Sequence, residues 1–400
     1  MSRNFPDWLK AYCDYASFSE APRRMHFFAG VAAVAGALRR HVWIDMAYFK
    51  WFPNHYIIFV APPGVVSKST TTAIAMDLLR KVEGVKFGPD VVTWPALVSA
   101  FAGSAEQFEI NSEWYTQCAL TLESSEFGNL VNPADRDMID LLVTLWDSKT
   151  GAFQKMTKGN GNDIVENPWI NLVACTTPAW IAGNFPEYLI GGGFTSRCLF
   201  VYADKKEKLV PYPYLEVPAG LRGIGEKLSS DLEHISTKLY GTYRLEPEAI
   251  AWGREWYRTH HSGKPAGLED DRFGGYLARK QTHIHKLGMV IAAAQRDDLI
   301  LTADDLQIAS IMITELEEDM PKVFSRIGRS PESVQIERFI KMMQVRQMIP
   351  YEEAYRWIYT QFPDARSFET ILKGAMTAGL IALAAVDGKM YLKAKLPAAD

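Results

Sequence analysis

Cysteine is scarce in this chain: four residues in 400, at Cys13, Cys118, Cys175 and Cys198, with no C-x-x-C pair. That count excludes a disulfide-stapled scaffold and gives no zinc-site spacing, so buried, reduced thiols are expected. Long apolar runs are also missing. The longest, Phe27 to Leu38, falls short of the roughly 20 residues that cross a bilayer and ends in Arg39-Arg40. No membrane partner is expected. The segment Met1 to Trp8 has no basic stretch leading into an apolar core, so no secretory signal is expected and the cytoplasm is the anticipated compartment. There is no basic excess either: 43 Lys and Arg face 47 Asp and Glu, for a net charge of −4. No global field draws the chain to nucleic acid, although a ring can concentrate cations in a channel without altering the net charge. Repeats, heptad arrays and low-complexity tracts are absent. What remains, 48% hydrophobic and 22% charged, is a globular composition long enough for one large domain with additions or for two to three domains.

The most informative segment present is Ala61-Pro62-Pro63-Gly64-Val65-Val66-Ser67-Lys68-Ser69. It follows the apolar run Tyr56 to Val60 and opens into Thr70 to Leu79, a predicted helix. Strand, tight turn, Lys-Ser and helix form the context of a phosphate-binding P-loop. Backbone N–H groups and a helix N-terminus cradle phosphate oxygens, the lysine reaches the β- and γ-phosphates, and the serine hydroxyl takes Mg²⁺. On this reading Pro63, Gly64, Val65, Val66, Ser67, Lys68, Ser69 and Thr70 surround the phosphates of ATP. The loop departs from G-x-x-x-x-G-K-[ST] at both glycines. Pro62 stands at the first and Ser67 at the second, and serine lacks the freedom of glycine at positive φ.

Periodicity divides the chain into four parts. Residues 1–50 read as a helical extension broken at Ser19-Glu20-Ala21-Pro22. Residues 51–210 alternate strands and helices as an α/β core, with strands expected at Tyr56–Val60, Val91–Thr93, Ala119–Leu122, Ile170–Cys175 and Cys198–Tyr202. Beyond a proline-rich run, Pro211 to Pro218, residues 211–329 read as helices. Residues 330–400 read as three helices (333–344, 351–361 and 367–378) and a hairpin turning at Asp387-Gly388. That is the plan of a winged helix-turn-helix, which serves DNA or protein contacts.

Three further features follow the loop in order. Cys118 to Leu122 ends in Glu123-Ser124-Ser125-Glu126, and acids at a strand's carboxyl end lie where α/β sheets hold ligands. Glu126 is the expected water-orienting carboxylate and Glu123 its partner near Mg²⁺; a solvated acidic loop is the plain alternative. The strand Ile170 to Cys175 ends in Thr176-Thr177, where Thr177 suits a γ-phosphate sensor or, equally, a simple strand-end turn. Gly191-Gly192-Gly193-Phe194-Thr195-Ser196-Arg197 presents an arginine suited to act as a finger on a neighbouring subunit's nucleotide. An ion pair within its own chain is the alternative. Weaker candidates are Lys155 and Lys158, flanking the Gly159-Asn160-Gly161-Asn162 turn, as a DNA-facing loop or a solvated hairpin. Arg279 and Lys280 are either nucleotide contacts or surface charges. His283 and His285, two apart, are poorly spaced for a metal on one helix face.

These blocks, with Ser19-Glu20-Ala21-Pro22, Ser125-Glu126-Phe127-Gly128, Asn167-Pro168 and the Gly191–Arg197 run, resemble phage and prophage P-loop proteins of a primase–helicase-associated type, across roughly residues 5–300. The resemblance implies a RecA- or AAA-like ring, commonly a hexamer, that hydrolyses ATP with Mg²⁺ in the host cytoplasm. It implies movement on single-stranded or forked DNA during phage-type replication, beside a primase or other replisome protein. A DNA-packaging or remodelling motor, and a nucleotide-gated loader or adaptor with little turnover, stand as alternatives.

Overall fold

The computed structural model describes residues 3–395 except 111, 158–160, 187–188, 190, 264–267, 325–338, 341 and 359–364. It is a mixed α/β structure, about half helical, that divides into two compact units, 1–327 and 328–400.

The first unit is organised by a five-stranded sheet in the order β4-β5-β8-β3-β9. Its strands are β3 (Tyr56–Val60), β4 (Ala105–Ile110), β5 (Glu113–Ser124), β8 (Pro168–Thr176) and β9 (Cys198–Tyr202). All pairings are parallel except β4 with β5. Strands β3 and β8 are buried along their whole length, as an interior parallel strand covered on both faces must be. The two faces can be told apart by single hydrogen bonds. Tyr56 donates its hydroxyl proton to Leu142 O in the helix Arg136–Trp146 (2.7 Å). Asn171, its side chain on the opposite face, donates to Ala32 O in α2 (Arg23–Leu38) at 2.9 Å.

Helix α2 is buried almost all round because other helices enclose it: α1 (Trp8–Ala16), α3 (Lys68–Leu79), Leu221–Lys238 and Lys280–Gln295. Its many alanines and glycines permit that crowding. A Cβ on Gly30 would come within 2.7 Å of the Tyr12 ring, so the α1–α2 contact depends on the missing methyl group. What reads in sequence as a helical extension is therefore the centre of the core on one face of the sheet.

A second sheet, β11-β10-β1-β2, joins β1 (Val42–Asp45), β2 (Lys50–Trp51), β10 (Gly241–Leu245) and β11 (Ile300–Leu301). It ties the residues after α2 to the helical segment, so residues 1–50 and 211–327 belong to one unit with the sheet. The expected strand at Val91–Thr93 is absent. Phe87, upstream of it, makes a single bridge to Thr121 instead. The remaining pair, β6 (Ala152–Thr157) and β7 (Gly161–Glu166), is antiparallel.

In the second unit β12 (Met348–Pro350), β13 (Ile381–Val386) and β14 (Lys389–Ala394) form an antiparallel sheet with helices Tyr351–Ile358 and Ala365–Thr377. Asp387 and Gly388 both take positive φ (50° and 74°) between Val386 and Lys389, the geometry of a tight hairpin turn. The first helix expected there, 333–344, falls largely outside the described residues.

Replacing Asn171 with alanine removes the donor to Ala32 O and leaves that carbonyl buried without it. Urea unfolding of Asn171→Ala should show a loss of about 1–3 kcal/mol in the transition of the first unit. An unchanged midpoint would show that the link between sheet and α2 is dispensable.

Candidate functional site

At the carboxyl end of the sheet three chain segments line one cavity of about 540 Å³. The loop after β3 contributes Pro63, Gly64, Val66, Ser67, Lys68 and Ser69. The segment after β5 contributes Ser125, Glu126, Phe127, Gly128 and Asn129, and the end of β8 adds Cys175, Thr176, Thr177 and Trp180. Register brings them together. Val60 lies opposite Thr176, and Ala61 N donates to Thr176 O, so the loop leaves the sheet beside the β8 terminus. β8 stands between β3 and β5, which puts its two threonines between the loop and the acidic segment.

The loop's irregular residues have a simple conformational account. Gly64 takes φ +70°, the left-handed region that favours glycine, and its missing Cβ would meet nothing within 4 Å. Ser67 sits at φ −79°, ψ 65°, the centre of an inverse γ-turn closed by Lys68 N to Val66 O at 2.9 Å, a conformation that needs no glycine. The departure at position 67 therefore costs the loop no backbone strain. Ser67 begins α3 without a side-chain cap, and a helix start leaves its first N–H donors without intrahelical partners. Lys68 N donates to Val66 O at 2.9 Å, and Ser67, Lys68 and Ser69 line the cavity, so the positive end of a 12-residue helix borders it.

Lys68 is half-buried and donates to Ala61 O at 2.9 Å, which leaves two of its three protons available. Burial lowers its pKa from the ordinary lysine value. Glu126 is exposed at the cavity wall, at the start of the short helix Phe127–Leu130. Thr177 caps the helix Pro178–Asn184, its hydroxyl oxygen accepting from Trp180 N at 3.1 Å, so its proton remains to be donated elsewhere. Val65 and Thr70 belong to the same loop and helix but are not among the cavity's lining residues.

Two predicted residues are placed elsewhere. Glu123 does not line the cavity. Strand alternation turns it toward the face covered by α3, where it meets Arg80 at 2.5 Å, and burial raises its pKa. The expectation that it stands beside Mg²⁺ is therefore corrected: it is the partner of an arginine at the far end of α3. Arg197 is 6% exposed and precedes β9. It donates to Asp147 Oδ1 and Oδ2 at 3.0 and 3.1 Å and to Gly193 O at 2.8 Å. Cys198, the next residue, lies opposite Tyr56 at the start of β3, so the strand Tyr56–Val60, about 13 Å long, separates that level from the loop. As placed, Arg197 is a buried strut at the amino end of the sheet, engaged by Asp147 and Gly193 of its own chain.

The minor candidates resolve similarly. Lys280 is buried against Glu317 at 2.7 Å, Arg279 donates to Gly275 O, and His283 meets Ser196 O at 3.0 Å. Lys155 lies on β6 paired with Asp163, and Lys158 lies outside the described residues. Among the described residues no group of three or more His, Cys, Asp or Glu is arranged to hold a metal. The four cysteines are free and buried.

Sequence reasoning missed Trp180 and Asn129. Trp180 lies against Gly128, where a Cβ would come within 2.7 Å of the indole, and stacks edge-on to Phe127 with ring centroids 5.5 Å apart. The glycine in Ser125-Glu126-Phe127-Gly128 was the available signal. No protein-family model matches the chain, and no curated protein matches it.

Ser67→Gly should leave any ATP affinity of this cavity within about twofold, because position 67 needs no positive φ. Gly64→Val, which forces a β-branched residue to φ +70°, should weaken it clearly. Equal effects in a titration calorimeter would contradict this account of the loop. Arg197→Ala should destabilise the first unit by about 1–3 kcal/mol, below the range for fully buried pairs because Asp147 is a third exposed. Full stability of Arg197→Ala, together with loss of any ATP turnover the protein shows, would restore the finger.

Proposed function

We propose that this protein binds ATP in the cavity at the carboxyl end of its sheet and hydrolyses it, and that hydrolysis drives movement on DNA as a helicase or translocase of phage-type replication. The observation that carries the nucleotide reading is the convergence of Lys68, Glu126 and Thr177, from three separate segments, on one cavity. Its volume lies in the range of small-molecule sites. The DNA-motor part, with assembly as a ring, rests on the resemblance of the motif blocks.

In this reading the N–H donors at the start of α3 and the loop backbone hold the phosphates. The Lys68 ammonium neutralises charge at the β- and γ-positions, Thr177 donates its hydroxyl proton to the terminal phosphate, and Glu126 orients the attacking water. The residues fit Mg²⁺: the Ser69 hydroxyl and the Glu126 carboxylate are hard oxygen donors on the same cavity. Ser69 would hold the ion, with phosphate and water oxygens completing its shell, and the ion would offset charge on the transferring phosphoryl group. Phe127 and Trp180 wall this side of the cavity and exclude water from the reacting groups.

A second reading is favoured by one observation. Glu123 and Arg197 are both engaged in ion pairs away from the cavity. Among its described lining residues, Glu126 is the one acid and Lys68 the one cation. A site so sparingly equipped also suits a nucleotide-gated loader or adaptor that binds ATP and turns it over slowly.

ATP hydrolysis by the full chain, with and without single-stranded DNA, separates the two. The motor predicts DNA-stimulated turnover that Lys68→Ala abolishes. ATP binding with no turnover favours the gated adaptor, and binding unaffected by Lys68→Ala would overturn both.

A further inference from the structure

Most sheet edges in this molecule are guarded against pairing with another chain. Strand β4 carries Glu106 and Glu109, β12 ends in Pro350, β2 and β11 are two residues long, and β9 is buried along four of its five residues. Charge, proline, shortness and cover are the usual guards. Strand β13 has none of them. Its residues, Ile381-Ala382-Leu383-Ala384-Ala385-Val386, include no charge and no proline. It pairs with β14 at every position, so no bulge twists it away, and no strand lies on its other side. Three large apolar side chains are exposed along it: Leu380 (39%), Leu383 (46%) and Val386 (39%).

Hydrogen-bond alternation decides which backbone groups of β13 are free. Val386 and Lys389 flank the two-residue turn, and at the other end Lys395 N donates to Leu380 O at 2.9 Å. Bonded positions recur at every second residue of an antiparallel pair. Leu380, Ala382, Ala384 and Val386 therefore turn their N–H and C=O groups toward β14. Ile381, Leu383 and Ala385 turn theirs to the open edge, and among the described residues those groups have no partner. Side chains alternate too: Leu383 shares the face of the buried Ile381, while Ala382 and Ala384 lie on the other face.

We infer that β13 pairs antiparallel with β13 of a second copy of this chain, about a twofold axis through Leu383. In that register the strand is its own complement. Leu383 lies opposite the partner's Leu383, and Leu380 and Val386 lie opposite the partner's Val386 and the partner's Leu380. Each exposed apolar side chain thus meets another. Ile381, Leu383 and Ala385 exchange their free N–H and C=O groups with the same residues of the second copy. Ala382 lies opposite the partner's Ala384 at a non-hydrogen-bonded position, where Cα atoms approach to about 4.5 Å and small side chains fit. Nearby charge does not oppose the pairing. Asp387 is in the turn, beyond the paired residues, and Lys389 and Lys393 stand on β14. Three strand spacings, about 14 Å, separate the two copies of β14, more than the screening length of about 8 Å at physiological salt. The contact is isologous and closes at two copies, unlike a head-to-tail ring. It belongs to the second unit, outside the residues that carry the motif resemblance, and it is independent of the nucleotide reading. Its small area makes the pairing weak and concentration-dependent.

Disulfide capture in the full chain, without nucleotide, tests this register. Ala382→Cys protein mixed with Ala384→Cys protein should give a linked dimer on mild oxidation, because a Cα separation of about 4.5 Å is within reach of a disulfide. Neither variant alone should link, since each cysteine then faces an alanine and stands a diagonal step of about 7–8 Å from its own copy. The native cysteines are buried and lie in the first unit, so they give no background. Ala385→Pro, added to both proteins, removes an N–H that faces the open edge and spares the bonds to β14, so the link should be lost. Equal linkage in the unmixed variants, no linkage in the mixture, or linkage that survives Ala385→Pro would overturn the proposal. An edge reserved for a different protein gives the second of these results. Should a variant fail to fold, hydrogen exchange of the wild-type chain provides the same test. The amides of Leu383 and Ala385 should exchange more slowly as protein concentration is raised, and exchange independent of concentration would overturn it.

Discussion

The register of β3 against its neighbours is the constraint on which the site depends. Val60 is opposite Thr176 on one side and Tyr202 on the other, and the ladder continues one step past each strand through Ala61 N to Thr176 O and Ala203 N to Val60 O. Because these ends are aligned, the loop, the threonines and the segment after β9 all leave the sheet at one level. A slip of one residue would turn every β3 side chain to the opposite face and move Lys68 away from Thr177. Full burial on both faces is what fixes the register, since no alternative pairing keeps both Tyr56 and Asn171 bonded to their separate helices.

The two ends of the sheet differ in character. The carboxyl end is open, with few charges. The amino end is filled by a buried polar network in which Lys286 donates to Asn54 Oδ1 at 2.8 Å and Trp146 O at 3.2 Å while its ammonium lies 3.6 Å from the Trp146 ring centroid. Burial pushes that lysine well below its ordinary pKa, with Asp147 opposing and Arg197 reinforcing the shift. Arg197 is part of this network, which explains a glycine-flanked arginine without assigning it to phosphoryl transfer. Gly193 has a structural reason as well: a Cβ there would come within 3.2 Å of the Arg197 guanidinium.

Local signals were the legible ones. Tyr56 to Lys68, with its apolar run, turn and helix start, and Asp387-Gly388, with its demand for positive φ, could be placed from neighbours in sequence alone. The partners of Glu123 and Arg197 could not, because Arg80 and Asp147 lie 43 and 50 residues away and strand alternation decides which face each side chain takes. The sheet containing β1, β10 and β11 was hidden for the same reason: Val42 of β1 pairs with Gly241 of β10, nearly 200 residues away, and Arg244 of β10 with Ile300 of β11. β4 was missed because its residues are largely polar and half-exposed, which removes the apolar alternation that marks a strand. Position 67 teaches the converse lesson. A residue that breaks a motif matters only if the backbone there needs what the motif residue supplies, and φ at Ser67 shows that it does not.

A crystal structure of the full chain with a non-hydrolysable ATP analogue and Mg²⁺ tests the central claim most directly. The account predicts a triphosphate along the start of α3, its terminal phosphate between Lys68, Thr177 and Glu126. A nucleotide bound elsewhere, or a cavity that stays empty at saturating analogue, would contradict it.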